Sequence, residues 1–282
     1  MKTGLVLEGG AMRGLYTVGI LDFLMEKEVE FDGIIGVSAG AAFGCNYQSR
    51  QKGRALRYNK RFCRDWRYCS WRSWFLTGDL FGAEFCYHKL PLELDPFDGR
   101  AFEENKCEFF LVCTDVHTGE PCYHRCRKAD AECFEWMRAS GSMPLVSNVV
   151  KVGGGEYLDG ALGDSIPLRF FQTKGFERNV VILTQCADYV KKPSRAMPLL
   201  RFALRKYPAL VKALEKRHIL YNETLEYLRS EEEKGSIFVF RPETPLPVKR
   251  LCHDPEKLQR VYDMGYTQAK AEFSRLESFL KG

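Results

Sequence analysis

A serine within a short glycine-rich stretch is the first feature of this sequence that could do chemistry. Residues 36–40 read Gly-Val-Ser-Ala-Gly, after an apolar pair and before a segment that can begin a helix. Between a strand and a helix, this pattern makes a nucleophile elbow, because Gly36 and Gly40 allow a tight turn that exposes the Ser38 hydroxyl above a sheet. The same residues also suit an ordinary packing turn. The motif predicts a nucleophile without establishing one.

A second glycine-rich turn lies near the N-terminus. Residues 8–14 read Glu-Gly-Gly-Ala-Met-Arg-Gly and join a short apolar strand, residues 5–7, to a helical segment. Such a turn leaves backbone N–H groups unpaired at the positive end of the helix, so we expect it to hold negative charge. Three anions fit that expectation: a nucleotide phosphate, a dinucleotide pyrophosphate, or the transient oxyanion of an ester under attack.

The residue types in this turn argue against both nucleotides. A P-loop requires Lys and then Ser or Thr after its last glycine, whereas Gly14 is followed by Leu15. A dinucleotide fingerprint requires glycine where Ala11 stands, and an acidic residue at the end of the second strand, where this chain has Ser38. The oxyanion interpretation remains, and it uses both the turn and the serine.

The elements between the two turns should bring them together. The pattern predicts a helix after residue 14 and a second strand over residues 31–35. Two strands joined by one helix form a right-handed parallel unit, so both turns open at the same carboxyl edge of the sheet. Ligands gather at that edge in α/β proteins. We therefore expect Gly9 and Gly10 to lie beside Ser38.

Composition limits the classes of protein to consider. The chain has 282 residues, 45% of them hydrophobic, enough for a substantial core. A net charge of +5 is less than a dedicated nucleic-acid binder would carry, so we expect no nucleic-acid partner. We find no signal peptide or membrane-spanning run, and the 11 cysteines fit free thiols in a reducing compartment. We expect a cytoplasmic protein that at most binds a bilayer surface.

A basic and aromatic stretch follows the serine motif. Residues 50–75 contain nine Lys or Arg residues interleaved with Trp, Tyr and Phe. The simpler interpretation is a solvated helix face with aromatic side chains packed beneath it. The alternative is an interfacial patch, in which the cations meet lipid head groups and the aromatic rings enter the boundary. Peripheral contact with an anionic membrane through this stretch is therefore a hypothesis.

The rest of the chain alternates predicted strands and helices. Strands are predicted at 107–113, 121–125, 149–152, 156–158, 180–184 and 236–240, and helices at 41–62, 131–140, 196–228 (interrupted at Pro208) and 255–280. Residues 76–105 have turn signals and little periodicity, so we expect an irregular excursion there. The Cys and His residues between 113 and 126 lack zinc-ligand spacing, and we predict no metal. Without repeats or linkers, a single domain over residues 1–282 is the simplest organisation.

A serine nucleophile needs a base, and three residues are candidates. Asp159 precedes a glycine, a pair that usually marks only a turn. His218 and His253 follow the serine in the chain, as the histidine of a conventional Ser-His-Asp esterase does, but neither lies in a recognisable strand-end turn. The identity of the base stays open on the residues alone.

Three segments in register resemble the patatin-like phospholipases. They are residues 8–14, residues 36–40 and the Asp-Gly-Ala at 159–161, in that order and with the first two close to the N-terminus. Residues 113–120 and 139–144 also resemble stretches of bacterial members. The resemblance covers about residues 4–185. It implies a three-layer α/β/α fold with a mostly parallel central sheet, on which the helical region 196–282 packs or forms a cap.

The resemblance also implies a lipid acyl hydrolase that uses two catalytic residues and no cofactor. Ser38 would be the nucleophile and Asp159 its base, with no histidine. The backbone of Gly9, Gly10 and Ala11 would form the oxyanion hole. A lipid or fatty-acyl ester would be the substrate, and a non-catalytic lipid-binding or acyl-binding regulator on the same scaffold is the alternative.

Two positions of the first turn leave open questions. Ala11 stands where the family's loop usually has a third glycine, which matters if that position needs a positive φ. Arg13, followed by Gly14 at the helix start, either holds a substrate phosphate and steadies the loop or pairs with an acid such as Glu8.

Overall fold

A mixed sheet of eight strands forms the centre of the protein, and the computed structural model describes all residues from Met1 to Gly282. The strands lie in the order β5-β6-β3-β2-β1-β7-β8, with β4 paired to β3. Strands β3, β2, β1, β7 and β8 are parallel, and the others are antiparallel to their neighbours. The strands are β1 (Lys2–Leu7), β2 (Gly33–Val37), β3 (Glu108–Asp115), β4 (Pro121–Cys126), β5 (Val150–Val152), β6 (Gly155–Asp159), β7 (Phe176–Ile182) and β8 (Ile237–Phe240).

Ten α-helices cover the two faces of this sheet. A 3₁₀ turn at Ala11–Gly14 precedes the first helix, and a second one at Gly160–Leu162 follows β6. The helices are α1 (Leu15–Glu26), α2 (Ala39–Gln48), α3 (Arg54–Phe62), α4 (Trp71–Thr77), α5 (Gly99–Glu104), α6 (Ala131–Gly141), α7 (Leu168–Thr173), α8 (Met197–Ala203), α9 (Pro208–Glu233) and α10 (Pro255–Lys281).

Alternate residues of the strands build two separate cores, because successive side chains of a strand point to opposite faces. Leu5 and Leu7 of β1 belong to the larger core, together with residues of α1, α2, α6 and α10. Val6 lies in the other core, with residues of α7 and α9. The predicted three-layer α/β/α fold is therefore confirmed. Because these strands are buried on both faces, their sequences are continuous apolar runs.

Two glycines let the last helix pack closely on the first. A Cβ atom at Gly19 of α1 would lie 2.1 Å from the carbonyl oxygen of Tyr262, and one at Gly265 of α10 would lie 2.0 Å from that of Tyr16. Neither position has room for a methyl group. The C-terminal helix thus packs directly on the helix that begins at the first glycine-rich turn.

Strands β2 and β6 meet end to end along one edge of β3. Strand β2 pairs with β3 as far as Val112, and β6 pairs with β3 from Cys113 onward. Strand β4 pairs with residues 109–114 of β3 and so occupies the opposite edge. Because β2 and β6 run in opposite directions, their carboxyl ends face each other. Ser38, immediately after β2, and Asp159, the last residue of β6, are brought together in this way.

Two of the predicted elements were wrong in detail. The single helix expected over 41–62 is interrupted by residues 49–53, where Arg50 and Gly53 have positive φ values of 55° and 76°, so α2 and α3 are separate. The irregular excursion at 76–105 contains a π-helical segment, Phe85–Leu94, as well as α5. The interruption predicted at Pro208 is confirmed, since α9 begins there.

Candidate active site

The serine sits on a strained turn between β2 and α2. Ser38 has φ 56° and ψ −121°, a conformation that costs a non-glycine residue about 1–3 kcal/mol and that clusters at functional sites. The flanking glycines have no positive φ, and their role is to permit close approach. A Cβ atom at Gly36 would lie 2.5 Å from the backbone nitrogen of Ala41, and one at Gly40 would lie 2.4 Å from the carbonyl oxygen of Leu7. The geometry is that of a nucleophile elbow.

Ser140, near the end of α6, holds the elbow in place. Its Oγ accepts a hydrogen bond from the Ser38 backbone N–H at 2.9 Å and donates one to the Val112 carbonyl at 2.7 Å. Two residues further on, the Ser142 carbonyl accepts the Asp159 backbone N–H at 2.8 Å. The segment after α6 thus positions both the serine and the aspartate.

The first glycine-rich turn lies against the serine, as expected. A Cβ atom at Gly9 would lie 2.9 Å from the Cβ of Ser38. The backbone N–H groups of Gly9, Gly10 and Ala11 donate no hydrogen bond within the protein. Unengaged N–H groups beside a nucleophile are the geometry that an oxyanion hole requires.

Ala11 adopts the left-handed backbone conformation, which is unfavourable for alanine. Its φ is 50°, and for a residue with a Cβ atom this conformation costs about 1–2 kcal/mol. The position therefore does need a positive φ. The turn is formed nonetheless, with the Met12 N–H donating to the Arg250 carbonyl at 3.3 Å.

Asp159 is fully enclosed beside the serine. Its Oδ1 accepts a hydrogen bond from the Ala161 N–H at 2.8 Å, the hydroxyl of Thr114 donates to its carbonyl oxygen, and its side chain is 1% exposed. Burial raises the pKa of Asp159, while the Ala161 N–H, the Ser38 hydroxyl and the charges of Arg217 and Arg250 act in the opposite direction. Burial prevails, so this carboxylate is a stronger base than an exposed aspartate.

Arg13 does not pair with Glu8. The Glu8 carboxylate accepts hydrogen bonds from Thr184 and from the Tyr221 hydroxyl, at 2.6 Å each for the Thr184 N–H and the phenol. The Nε of Arg13 is buried and has no hydrogen-bond partner. Gly14, beside it, packs against Phe43, where a Cβ atom would lie within 2.8 Å of the ring.

An apolar cavity of about 420 Å³ opens beside the serine. Ser38 and Ala11 form part of its wall. Most of its remaining wall is hydrophobic, contributed by α2, α3, α6 and the π-helical segment; examples are Phe43, Tyr58, Leu90, Phe134 and Met137. Its size and apolar lining suit a hydrocarbon chain.

The histidine alternatives are not brought to this site. The Nδ1 of His253 lies 2.5 Å from the Cys63 carbonyl oxygen, and His218 on α9 makes no side-chain hydrogen bond. Neither lines the cavity that contains Ser38. All 11 cysteines are unpaired, and no three His, Cys, Asp or Glu side chains lie together as a metal site would require.

Sequence reasoning missed the residues that support and surround the pair. Ser140 and Ser142 lie in the 139–144 stretch, which resembles a stretch of bacterial family members but shows no chemical pattern of its own. Lys191, Arg217 and Arg250 lie C-terminal to the three motifs, and their basic character carried no signal of its own. Their charges act on Asp159 or on one another. Only the packing of α9 and of the segment before α10 brings them to the sheet edge.

The basic stretch 50–75 divides into two parts. In the first, Arg50, Lys52, Arg54 and Arg57 pair with acidic side chains, as an ordinary structural surface would. The second part exposes large apolar side chains: Trp66, Trp71, Trp74 and Phe75, followed by Leu76. Phe75 is 82% exposed, and Arg72 stacks on Trp66 at 4.4 Å.

Helix α4 carries most of these exposed rings and lies at the cavity. Trp71 lines the cavity with Ser38, and the indole N–H of Trp74 donates to the Leu145 carbonyl at 2.9 Å. None of the helices is both long and apolar enough to cross a bilayer.

The fold and this site define a class of protein. A family model described as "Patatin-like phospholipase" matches residues 5–171, more than half of the chain. The chain therefore belongs to the patatin-like phospholipase family. A second family model, a domain of unknown function (DUF6363), matches residues 207–281. The prediction of a single domain over residues 1–282 stays a prediction.

Among individual proteins, the chain is similar to the uncharacterized protein YjjU of Escherichia coli K12. They are 26% identical over 275 residues, 94% of this chain and 75% of the relative. Lysophospholipase NTE1 of Debaryomyces hansenii is 28% identical over 62% of this chain. The patatin-like phospholipase domain-containing protein M110.7 of Caenorhabditis elegans is 28% identical over 64% of it. The chain spans only 11% and 16% of these two relatives.

A solved structure, VipD from Legionella pneumophila, aligns with 96% of this chain and 66% of its own length, at a TM-score of 0.47 and 15% identity.

Proposed function

We propose that this protein is a serine acyl hydrolase that cleaves carboxylic esters of lipids through Ser38 and Asp159. The observation that carries the proposal is the meeting of four features at one sheet edge. They are a serine on a strained elbow, an enclosed carboxylate at the facing strand end, a turn with free N–H groups, and an apolar cavity. Each has a separate task in ester cleavage.

The first step is formation of an acyl-enzyme. Asp159 takes the proton from the Ser38 hydroxyl as Oγ attacks the ester carbonyl carbon. The negative charge that develops on the carbonyl oxygen is stabilised by the N–H groups of Gly9, Gly10 and Ala11. The carbon–oxygen bond to the alcohol then breaks, and Asp159 returns its proton to the departing alkoxide.

The second step releases the acid. A water molecule gives its proton to Asp159 and attacks the acyl carbon, and the Ser38 oxygen leaves and regains the proton. A carboxylate is a weak base toward a hydroxyl, and the burial that raises the pKa of Asp159 makes this transfer easier. The elbow and the Ser140 bridge keep the two groups facing each other without a histidine.

The cavity supports a lipid substrate over a small ester. Burying each methylene of an acyl chain there is worth about 0.8 kcal/mol, so chain length should govern affinity. We propose phospholipids or lysophospholipids as the substrate class, with Arg13 near the reacting carbonyl. The eleven unpaired cysteines favour a cytoplasmic location, which is part of the proposal.

We also propose that the protein works at a membrane surface, through residues 66–76 rather than the whole of 50–75. The exposed rings of α4 lie beside the cavity, so lipid could enter it from a bilayer without crossing water. Within this surface, Arg72 has no acidic partner and would face anionic head groups.

Substitution of the two catalytic residues tests the mechanism. We expect Ser38→Ala to abolish hydrolysis of a p-nitrophenyl ester, and Asp159→Asn to reduce kcat by about 10²–10⁴-fold, because a general base contributes that much. A fluorophosphonate probe should label the wild-type protein at Ser38, located by mass spectrometry.

Exposed Ser194 and Asp263 provide matched controls, and Ser194→Ala and Asp263→Asn should keep wild-type rates. Circular dichroism checks that every variant is folded. A folded Ser38→Ala protein with full turnover would contradict the proposed nucleophile. Absence of labelling and turnover in the wild type would favour a non-catalytic lipid-binding protein.

A further inference from the structure

Four cationic side chains surround the site, and none of them forms an ion pair with a carboxylate. They are Arg13, Lys191, Arg217 and Arg250. The Nε of Arg13 is buried and unpartnered, and only Arg217 makes a side-chain hydrogen bond, to the carbonyl oxygen of Ala161. Arg13, Lys191 and Arg217 are half-buried, whereas Arg250 is exposed. Half-buried cations without an ionic partner are costly, so the retention of three of them at one place calls for an explanation.

Their positions tie them to the catalytic pair. Arg250 lines the cavity together with Ser38, and its carbonyl accepts the Met12 N–H of the oxyanion turn. Arg217 contacts Ala161, whose N–H is the hydrogen-bond partner of the Asp159 carboxylate. Arg250 therefore belongs to the wall of the cavity that contains Ser38, and Arg217 lies next to the Asp159 carboxylate, on the wall of a separate small pocket.

Lys191 completes the group. Its Nζ lies 4.0 Å from the centre of the Tyr221 ring, and its backbone N–H and carbonyl bond to the side chain of Asn222 on α9 at 2.9 and 3.0 Å. Burial, together with the charge of Arg217 and smaller effects of Arg250 and Arg13, lowers the pKa of Lys191 to about 7. Positive charge is thus in excess here.

Two carboxylates, Glu8 and Asp159, lie near these four cations and cannot balance all of them. Glu8 is held by the neutral donors Thr184 and Tyr221, so it forms no ion pair with any of the four. An anionic group of the ligand would restore the balance, and a phosphate accepts several charge-assisted hydrogen bonds from arginine and lysine at once.

We propose that Lys191, Arg217 and Arg250 form a subsite for the phosphate of the substrate's head group, so that the protein selects acyl esters that carry a phosphate near the scissile bond. The proposal rests on the function proposed above. Arg217 and Arg250 lie within residues 207–281, outside the stretch that matches the phospholipase family model. The domain of unknown function thereby acquires a role: it completes the active site with head-group contacts.

Binding of ligands that cannot be hydrolysed tests this subsite independently of catalysis. The probes are 1-O-dodecylglycerol 3-phosphate, its neutral counterpart 1-O-dodecylglycerol, and inorganic phosphate, each titrated by isothermal calorimetry below the micellar concentration. We expect the wild-type protein to bind the ether phosphate at least tenfold more tightly than the neutral ether, and inorganic phosphate far more weakly than the ether phosphate.

Arg250→Gln is the main variant, because the Arg250 side chain makes no hydrogen bond whose loss would disturb the fold. We expect it to reduce the tenfold preference to less than threefold, and Arg217→Gln to do the same. Lys249→Gln, at the exposed neighbouring residue, should retain the preference. Similar affinities for the two ethers in the wild type, or a preference unchanged in both arginine variants, would overturn the subsite.

Inorganic phosphate binding as tightly as the ether phosphate would also overturn it, since the site would then serve a free anion. With ester substrates, the ratio of kcat/KM for lysophosphatidate to that for monoacylglycerol should fall in the same variants. If the protein hydrolyses neither ester, the function proposed above fails, and the binding ratios still decide the subsite.

Discussion

At the scale of single residues, backbone strain is concentrated at the site. Five non-glycine residues have a positive φ, and three of them, Ala11, Ser38 and Leu145, line the cavity. Each such conformation costs free energy that the surrounding structure must offset. At Ser38 the strain aims the hydroxyl into the cavity. At Ala11 it turns the chain so that free N–H groups face the serine.

Ala11→Gly should stabilise the protein. Glycine avoids the left-handed penalty of about 1–2 kcal/mol but loses about 0.5–1 kcal/mol through its freedom in the unfolded chain. We expect the free energy of unfolding, measured by urea denaturation, to rise by about 0.5–1 kcal/mol. Hydrolysis of a p-nitrophenyl ester should be kept, because the backbone N–H groups are unchanged.

The exposed Glu28, with φ 52°, gives a control for strain away from the site. Glu28→Gly should show a similar gain in stability and no change in kinetics. A tenfold loss of activity in Ala11→Gly alone would mean that the methyl group, and not only the backbone, contributes to the oxyanion hole.

At the scale of elements, the site depends on strand ends and on the segments that follow helices. Strand β3 carries β2 and β6 on one edge, which places Ser38 opposite Asp159. The segment after α6 then bonds to both residues. Helix α4 adds an exposed apolar surface, and its Trp71 also lines the cavity.

The surface of α4 should bind anionic membranes. We expect the double variant Arg72→Gln with Phe75→Ala to reduce the fraction of protein bound to vesicles of phosphatidylcholine and phosphatidylglycerol at least threefold in a flotation assay. The double variant would lose an aromatic ring that enters the bilayer and a cation that binds the anionic head groups.

Phe202→Ala provides the control, because Phe202 on α8 is 70% exposed but lies outside this surface. Its variant should float as the wild type does. Equal binding of the wild type to neutral and anionic vesicles, or no loss in the double variant, would contradict a membrane role for α4.

At the scale of the whole molecule, the C-terminal region is joined to the site from two directions. Helix α10 packs on α1, which follows the turn proposed as the oxyanion hole, through the facing glycines at 19 and 265. The segment before α10 carries Arg250 to the cavity, and α9 carries Arg217 to Asp159. Loosening α10 would therefore disturb catalysis as well as stability.

Gly265→Ala tests this connection. The added methyl would meet the Tyr16 carbonyl oxygen at 2.0 Å, and such overpacking costs about 1–3 kcal/mol, more than the helix propensity that alanine gains. We expect a lower midpoint of urea denaturation. Thr267→Ala, on the exposed face of the same helix, should leave the midpoint nearly unchanged. Equal midpoints for both variants would mean that the helices can separate at little cost.

Much of the fold could be predicted from the sequence because its strands and turns are locally coded. The apolar runs that form β1, β2, β3 and β7 are buried on both faces. Glycine occurs at the turns where two backbone segments lie in close contact. Pairs of glycine-rich turns on adjacent parallel strands must share an edge. The details that failed are local as well: the break before α3 rests on the positive φ values of Arg50 and Gly53, and only the glycine leaves a signal in the sequence.

By itself, the sequence determined the serine turn after β2, the glycine-rich turn after β1 and the layered sheet, since each follows from neighbouring residues. Only the tertiary structure decided which group faces Ser38. Asp159 is brought there because β6 continues the edge of β3 at which β2 ends, through strand pairings between residues 42 to 75 positions apart. The positions of the C-terminal cations likewise depend on helix packing. Contacts between distant segments produce no periodic pattern in the sequence, so these positions could not be predicted from it.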